Sequence, residues 1–541
     1  MLRDTIQDSD PDSSTRLSGL PAPPAFPFHS VLYPAPGAAD RGPVPAMPPH
    51  FHDLLLDHVV AAILKVGSQD FDLAPYFYAP LTDAVTEHAT IGYRQEAMRD
   101  MENPGVRSTV DAFLSAMHRM REVQDWTGKV YYHYEKRWWQ LEAVDTYCGA
   151  VARLADGLHR VKTGSRALAA LGAHLDRYVR SGEFQALASG TARLKADMAA
   201  IRYNLLIRGT SITVRHYAEE IDYSAAVEAA FDKFRRRAVK DYRVKFPRAG
   251  GMGHVEAEIL DRVALLNPEV FAALDAFCDA HADFMEPHIA RFDREIRFYV
   301  AYLDYIDTFR SAGLPFCYPT ITRYSKAIRC TRGFDIALAG KLVAEKKPLI
   351  CNDFDLEGAE RICVVSGPNQ GGKTTFARMI GQLHYLGSLG FPVPGESATL
   401  FFYDKLFTHF EREEDITSLR GKLQDDLVRI HHILEAATPD SLIIMNEIFS
   451  STTLKDAVFL ATKVLERLSS LDALGVCVTF LSELSTMNEK MASFVSAVDP
   501  ADPAIRTYRV ERRAADGLAY AMALARKYRV TCGELKGRLQ P

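Results

Sequence analysis

The segment SGPNQGGKTT, Ser366 to Thr375, constrains what this chain can fold into more than any other. It follows the apolar run Ile362-Cys363-Val364-Val365, which reads as a buried parallel strand. It precedes Phe376-Ala377-Arg378-Met379-Ile380, which reads as a helix. Gly367, Gly372, Lys373 and Thr374 set the spacing G-x-x-x-x-G-K-[ST] between the two, the context that a phosphate loop requires. Glycines let backbone N–H groups approach phosphate oxygens, and the helix N-terminus adds a partial positive charge. On this reading Gly367, Pro368, Asn369, Gln370, Gly371, Gly372, Lys373, Thr374 and Thr375 cradle the phosphates of ATP. Lys373 reaches the β- and γ-phosphates, and Thr374 places its hydroxyl on Mg²⁺. The bland alternative is a chance glycine turn, against which the flanking strand and helix both count.

A second apolar strand, Ser441-Leu442-Ile443-Ile444-Met445, ends in Asn446-Glu447. In phosphate-loop ATPases this position carries the acid that orients the Mg²⁺ shell. Glu447 fits the base that aligns the attacking water. Asn446 lacks the charge that holds a hydrated Mg²⁺, and is expected to act only through its outer shell. A solvated strand-end carboxylate is the alternative for Glu447, since such an acid alone is a weak signal.

The block GPNQGGKTT, then LGSLGFPVPGESATLFFYDKLFTHFEREED, then SLIIMNEIFSSTT, resembles the ATPase domain of MutS-type proteins. The resemblance continues through Asp456 and ends in Asp516-Gly517-Leu518-Ala519-Tyr520-Ala521. A weaker echo, Leu349-Ile350-Cys351-Asn352-Asp353, corresponds to the stretch near the adenine. It implies a P-loop α/β ATPase domain over residues 319–541, preceded by an α-helical lever region over 51–318 with a clamp-like insertion near 196–264. It also implies ATP and Mg²⁺ as cofactors, and a homodimer whose two sites each borrow a signature loop from the partner.

Departures from the family pattern bear on rate. MutS proteins carry Asp-Glu where this chain has Asn446-Glu447, and a His where it has Phe480. Their Ser-Thr signature corresponds to a stretch offering Gly421 and Lys422. Lys422 is expected to give a charge contact to the γ-phosphate in trans. Together these changes imply slow hydrolysis. A Phe-x-Glu wedge, which stacks an aromatic at a kinked base step, has no counterpart before the helical region. The resemblance is therefore to a MutS-related ATPase without the mismatch-reading module.

Net charge is −5 over 541 residues, so any DNA site must be local rather than a global basic field. Lys233, Arg235, Arg236, Arg237, Lys240, Arg243, Lys245 and Arg248 are eight cations within 16 positions, opposed by Asp241 alone. Phosphate neutralisation needs this residue type and no fixed spacing. The first seven are the DNA-backbone candidates, for double-stranded or branched DNA; a solvated basic helix is the alternative. Just before them, Tyr203 to Val214 reads as a hairpin with Arg208-Gly209 at its turn.

Residues 1–50 hold 11 of the 27 prolines and read as a disordered or extended tail. Val110, Phe113, Leu114 and Met117 mark an amphipathic helix. Trp126, Tyr131, Tyr132, Tyr134, Trp138 and Trp139 read as core packing more readily than as a base-stacking platform. Met285, Ile289, Phe292, Ile296, Tyr299, Leu303 and Ile306 form a heptad seam, on a helix from Met285 to Phe309 that tolerates Pro287 in its first turn. Such a helix suits a rod that transmits motion or a packing helix equally. Eight cysteines without a C-x-x-C pair point to a reduced, cytoplasmic protein. No apolar run approaches the roughly 20 residues a membrane span needs.

Two functional classes remain. One is a MutS-like, DNA-binding ATPase; the other is a nucleotide-gated scaffold that binds protein partners and not DNA. A transporter ATPase would need an LSGGQ-like segment before Asn446, and none is present.

Overall fold

The computed structural model describes residues 27–35, 46–66, 70–78, 84–218, 230, 251–411, 421–499, 501–502, 505–515 and 531. The basic run from Lys233 to Arg248, Cys532 and the Asp516–Ala521 motif lie outside them.

The first half is helical: α1 (His50–Asp53), α2 (Leu56–Val66), α3 (Ala74–Tyr78), α4 (Ala84–Met101), α5 (Pro104–Thr127), α6 (His133–Arg160), α7 (Arg166–Val179) and α8 (Gly182–Ala200). Local chemistry sets several starts. Asn103 accepts from the Gly105 N–H, with Pro104 in the first turn of α5, and Ser165 and Ser181 cap α7 and α8. Val110, Phe113, Leu114 and Met117 of α5 are all buried, as their spacing predicts.

Strands β1 (Tyr203–Arg208) and β2 (Ser211–His216) pair antiparallel as the predicted hairpin. The turn lies one residue later than expected, on Gly209-Thr210. Gly209 takes φ 59° there, in the left-handed region that glycine enters without strain. Both faces of the hairpin are largely exposed. The aromatic cluster is less buried than expected. Tyr131 is exposed, while Trp126 and Trp139 join Tyr203 and Leu205 around an open cavity of about 1090 Å³. Tyr134 does pack, edge-on against Phe271.

Helices α9 (His254–Leu266) and α10 (Pro268–Ala280) lead to α11 (Pro287–Ser311), the long seam helix. Glu286 caps it and Pro287 sits in its first turn. Ile289, Phe292, Ile296, Tyr299, Leu303 and Ile306 are buried, but so are Phe298, Ala301, Tyr302, Tyr305 and Phe309. Helix α11 is thus enclosed on most of its surface and packs as a central core helix, not as a free-standing rod.

The proline-rich start departs from its expectation too. Phe28 and Ser30 to Tyr33 are buried. Glu295 of α11 accepts from Ser30 Oγ (2.7 Å) and the Val31 N–H (2.9 Å), and Tyr299 Oη donates to Val31 O (2.8 Å). Buried backbone needs such partners, and α11 supplies them.

The α/β part begins at β3 (Phe316–Cys317), which pairs with β8 (Val393–Pro394). A four-stranded sheet runs β4 (Thr320–Thr322), β9 (Ser397–Phe401), β5 (Ile328–Gly333), β6 (Asn352–Leu356) in spatial order, and α12 (Ile336–Ala344) follows β5. The main sheet has the order β10 (Leu406–His409), β11 (Leu442–Asn446), β12 (Leu474–Val478), β7 (Ile362–Ser366), β13 (Met491–Val498), β14 (Arg506–Arg512). All neighbours are parallel except β13 with β14.

Successive strand residues face opposite sides. Ile362, Val364, Ile443, Met445 and Cys477 join a core covered by α14 (Lys422–Ala436) and α15 (Leu454–Leu471). Cys363, Val365, Leu442, Ile444, Val476 and Val478 join the large core that holds α13 (Lys373–Ser388) and the helical half. Burial on both faces explains why these strands read as unbroken apolar runs. The two halves meet at Tyr302 and Phe391, whose rings stack 3.9 Å apart with an 8° tilt, and Tyr302 Oη donates to Pro392 O (2.6 Å).

Candidate nucleotide-binding site

The loop from Gly367 to Gly372 joins the end of β7 to the start of α13. This is the carboxyl edge of a parallel sheet, where open α/β folds place their ligands. Gly367 has φ 120° and Gly372 has φ 93°, so side chains at either point would be strained. Space is equally tight. A Cβ on Gly371 would lie 2.3 Å from Ser496 Oγ, and one on Gly367 would lie 2.9 Å from Ser496 O. Ser496, from β13, braces the loop by donating its hydroxyl to Gly371 O (2.6 Å). Arg506 Nε donates to Asn369 O (3.1 Å) from β14.

Lys373 is buried at the first position of α13. Its ammonium donates to Gly367 O (3.0 Å) and Pro368 O (3.1 Å) and lies 4.4 Å from the centre of the Phe480 ring. Burial holds its pKa below the ordinary lysine value; nearby Arg506 adds to this and Glu447 opposes it.

Thr374 Oγ1 donates to Asn446 Oδ1 (2.9 Å), so the loop threonine and the end of β11 meet. Glu447 follows at φ 54°, with its N–H donating to Val478 O on β12 (2.9 Å). Burial pushes the Glu447 carboxyl above its ordinary pKa, Lys373 opposes this, and Glu411 reinforces it. Gln370, Glu447, Phe449 and Tyr508 all hold positive φ. Non-glycine residues rarely do so, and such strain concentrates at working sites.

The sequence-derived residues therefore divide. Lys373, Thr374, Asn446, Glu447 and Phe480 come together around the loop. Thr374, with Asn446 beside it and Glu447 next along the chain, is an oxygen set that fits Mg²⁺. Lys422 pairs with Glu411 of its own chain, and Ser450 Oγ donates to the same carboxylate (3.3 Å). Asp456 closes a cap at the start of α15, accepting from Thr453 Oγ1 (2.8 Å). Helix α15 begins at Leu454. Of the clamp-like stretch, the described residues hold the hairpin and its flanking helices; the DNA-backbone candidates Lys233, Arg235, Arg236, Arg237, Lys240, Arg243 and Lys245 fall outside.

Leu349 to Asp353 line a cavity of about 550 Å³ together with Arg509, Val510 and Arg512. Asn352 fixes its floor, accepting from the Val510 N–H (2.7 Å) and donating to Tyr508 O (3.2 Å). A Cβ on Gly372 would lie 3.8 Å from Tyr508 O, so this cavity adjoins the loop. Ser496, Arg506 and Tyr508 carry no motif; they are brought to the loop by the pairing of β13 with β7 and β14.

Among the described residues no helix is long and apolar enough to cross a membrane. Residues 363–528 match the family model for MutS domain V. The match begins in β7 and spans the loop, Asn446-Glu447 and Phe480. Over these residues the chain carries a domain of the MutS domain V family.

Proposed function

We propose that this protein is a homodimeric, cytoplasmic MutS-like ATPase that hydrolyses ATP slowly and uses the cycle to hold double-stranded or branched DNA. The observation that carries the reading is the junction of Thr374 with Asn446 beside Glu447, at the mouth of a phosphate loop.

In this scheme the loop N–H groups and the N-terminus of α13 receive the phosphates. Lys373 exchanges its two carbonyl contacts for the β- and γ-phosphates. Bound Mg²⁺, held directly by Thr374 and through water by Asn446, would neutralise charge on the transferred phosphoryl group. Glu447 orients the attacking water, and its raised pKa suits it to accept a proton. Oriented donors contribute most in such reactions, and the neutral Asn446 weakens that term, hence the slow rate. The basic run from Lys233 to Arg248 would grip the DNA backbone.

Asn446 and Phe480 favour a second reading, a nucleotide-gated scaffold for protein partners. Steady-state ATP turnover with and without homoduplex, mismatched and branched DNA separates the two, with Glu447→Gln as background. Stimulation by one DNA type supports the first reading. Turnover that every DNA leaves unchanged supports the second, and turnover equal to the Glu447→Gln background sinks hydrolysis altogether.

A further inference from the structure

We infer that His174, Glu286 and His288 form a binding site for one divalent transition-metal ion of the zinc class. The site lies in the helical half, on elements that contribute nothing to the phosphate loop. His174 comes from α7. Glu286 is the cap of α11, and His288 is in its first turn. Among the described residues this is the only group of three such side chains whose ligand atoms all lie within 4.8 Å of one another.

The spacing suits a metal better than it suits a hydrogen-bonded cluster. His174 Nε2 is buried without a hydrogen-bond partner. It sits 3.4 Å from Glu286 Oε2, near enough for an ion pair but not aligned as a hydrogen bond. Ligand atoms about 2.0–2.1 Å from a tetrahedral zinc lie roughly 3.3 Å apart, so this edge already has the required length. A second edge, His288 Nδ1 to Glu286 Oε1, is a 2.7 Å hydrogen bond, and must lengthen when both atoms turn to a shared ion. His288 is the most exposed of the three, so its ring has room to move.

Two imidazoles and one carboxylate are a borderline donor set that selects zinc-like ions over Mg²⁺ or Ca²⁺. Three protein ligands leave a fourth position for water. The surroundings hold the rings in place. Phe28 packs on both histidines, and Tyr178 stacks on His174 with a 13° tilt. The start of α11 opposes a cation through its dipole, and the Glu286 carboxylate offsets that field. A bound ion would clip α7 to the start of the central helix.

The full-length chain, stripped with chelator and dialysed, should be titrated with Co²⁺ in excess Mg²⁺ without nucleotide. The expected result is one Co²⁺ per chain with d–d absorption, displaced by Zn²⁺. His174→Ala and His288→Ala should each weaken binding at least tenfold while keeping the wild-type circular dichroism. No binding below millimolar metal by the wild-type chain would overturn the site. So would unchanged affinity in both folded variants, which would place the ion elsewhere. Should either variant not fold, zinc-edge X-ray absorption of the wild-type complex decides. Two imidazoles with oxygen completing the shell support the site, and any sulfur or an all-oxygen shell overturns it.

Discussion

The ring of Phe480 covers the ammonium of Lys373, with 4.4 Å from ring centre to Nζ. The residue that departs from the family's histidine is thus in direct contact with the lysine proposed to reach ATP. A cation–π contact at a half-exposed ring contributes about 0.5–1 kcal/mol. Phe480→Ala should release Lys373 and tighten ATP binding by about two- to fivefold. Fluorescent-nucleotide titration measures this; unchanged or weaker binding means that the ring does not compete with phosphate.

Asn446→Asp restores a charge at the oxygen that accepts from Thr374. Groups around a metal shell commonly change affinity by 10–100-fold. The half-saturating Mg²⁺ concentration for turnover should fall about tenfold. In chelator, the new carboxylate sits beside Glu447 with no cation between them, and the melting temperature should drop. A Mg²⁺ titration of turnover and a melt in each condition test both halves.

Ser496 and Gly371 are held together by one hydrogen bond and by close contact. Ser496→Ala removes a contribution of about 1 kcal/mol, and should weaken nucleotide binding about fivefold with little loss of fold. Gly371→Ala should abolish binding, because its Cβ meets Ser496 Oγ at 2.3 Å. Adding Ser496→Gly should recover part of it. Isothermal titration of the three variants gives the comparison, and no recovery would place the clash elsewhere.

Glu295 supplies a pH dependence whose sign is unusual for a carboxylate. Burial raises its pKa from 4.5 to about 7, against the hydrogen bonds from Ser30 and Val31. Below pH 4.5 both folded and unfolded forms are protonated, and there is no penalty. As pH rises towards 7 the unfolded chain ionises first, so the folded state loses stability. The loss is complete above pH 7, at about 3 kcal/mol. Glu295→Gln keeps an acceptor for both donors without the charge. It should be more stable than the parent at pH 8 and equal to it near pH 4.5, by urea denaturation at the two pH values.

The parts visible in the sequence are those whose signal is local. Strand, glycine spacing, lysine and helix lie within twenty residues of one another, so the loop was legible. Asn446-Glu447 and the hairpin were legible for the same reason. The brace from Ser496 was not, because it depends on β13 pairing with β7. The burial of Phe28 and of Ser30 to Tyr33 was hidden for a related cause: proline-rich composition speaks of the unpaired chain, while the partners lie on α11. The seam of α11 was correct in register but understated, since a heptad pattern reports one face and the helix is enclosed on more than one. Lys422 pairs with Glu411 of its own chain, a contact that its place in the motif did not signal.

The stack of Tyr302 on Phe391 has a consequence for how the chain comes apart. Among the described residues a single apolar cluster runs from Phe28 through α11 to Val365 and Val510 and joins the front half to one face of the sheet. Severing the chain near residue 318 would leave two raw aromatic faces in water rather than two modules. Loss of order on heating should then spread through both halves in one cooperative step, and damage at Phe391 should be felt as far away as residue 30.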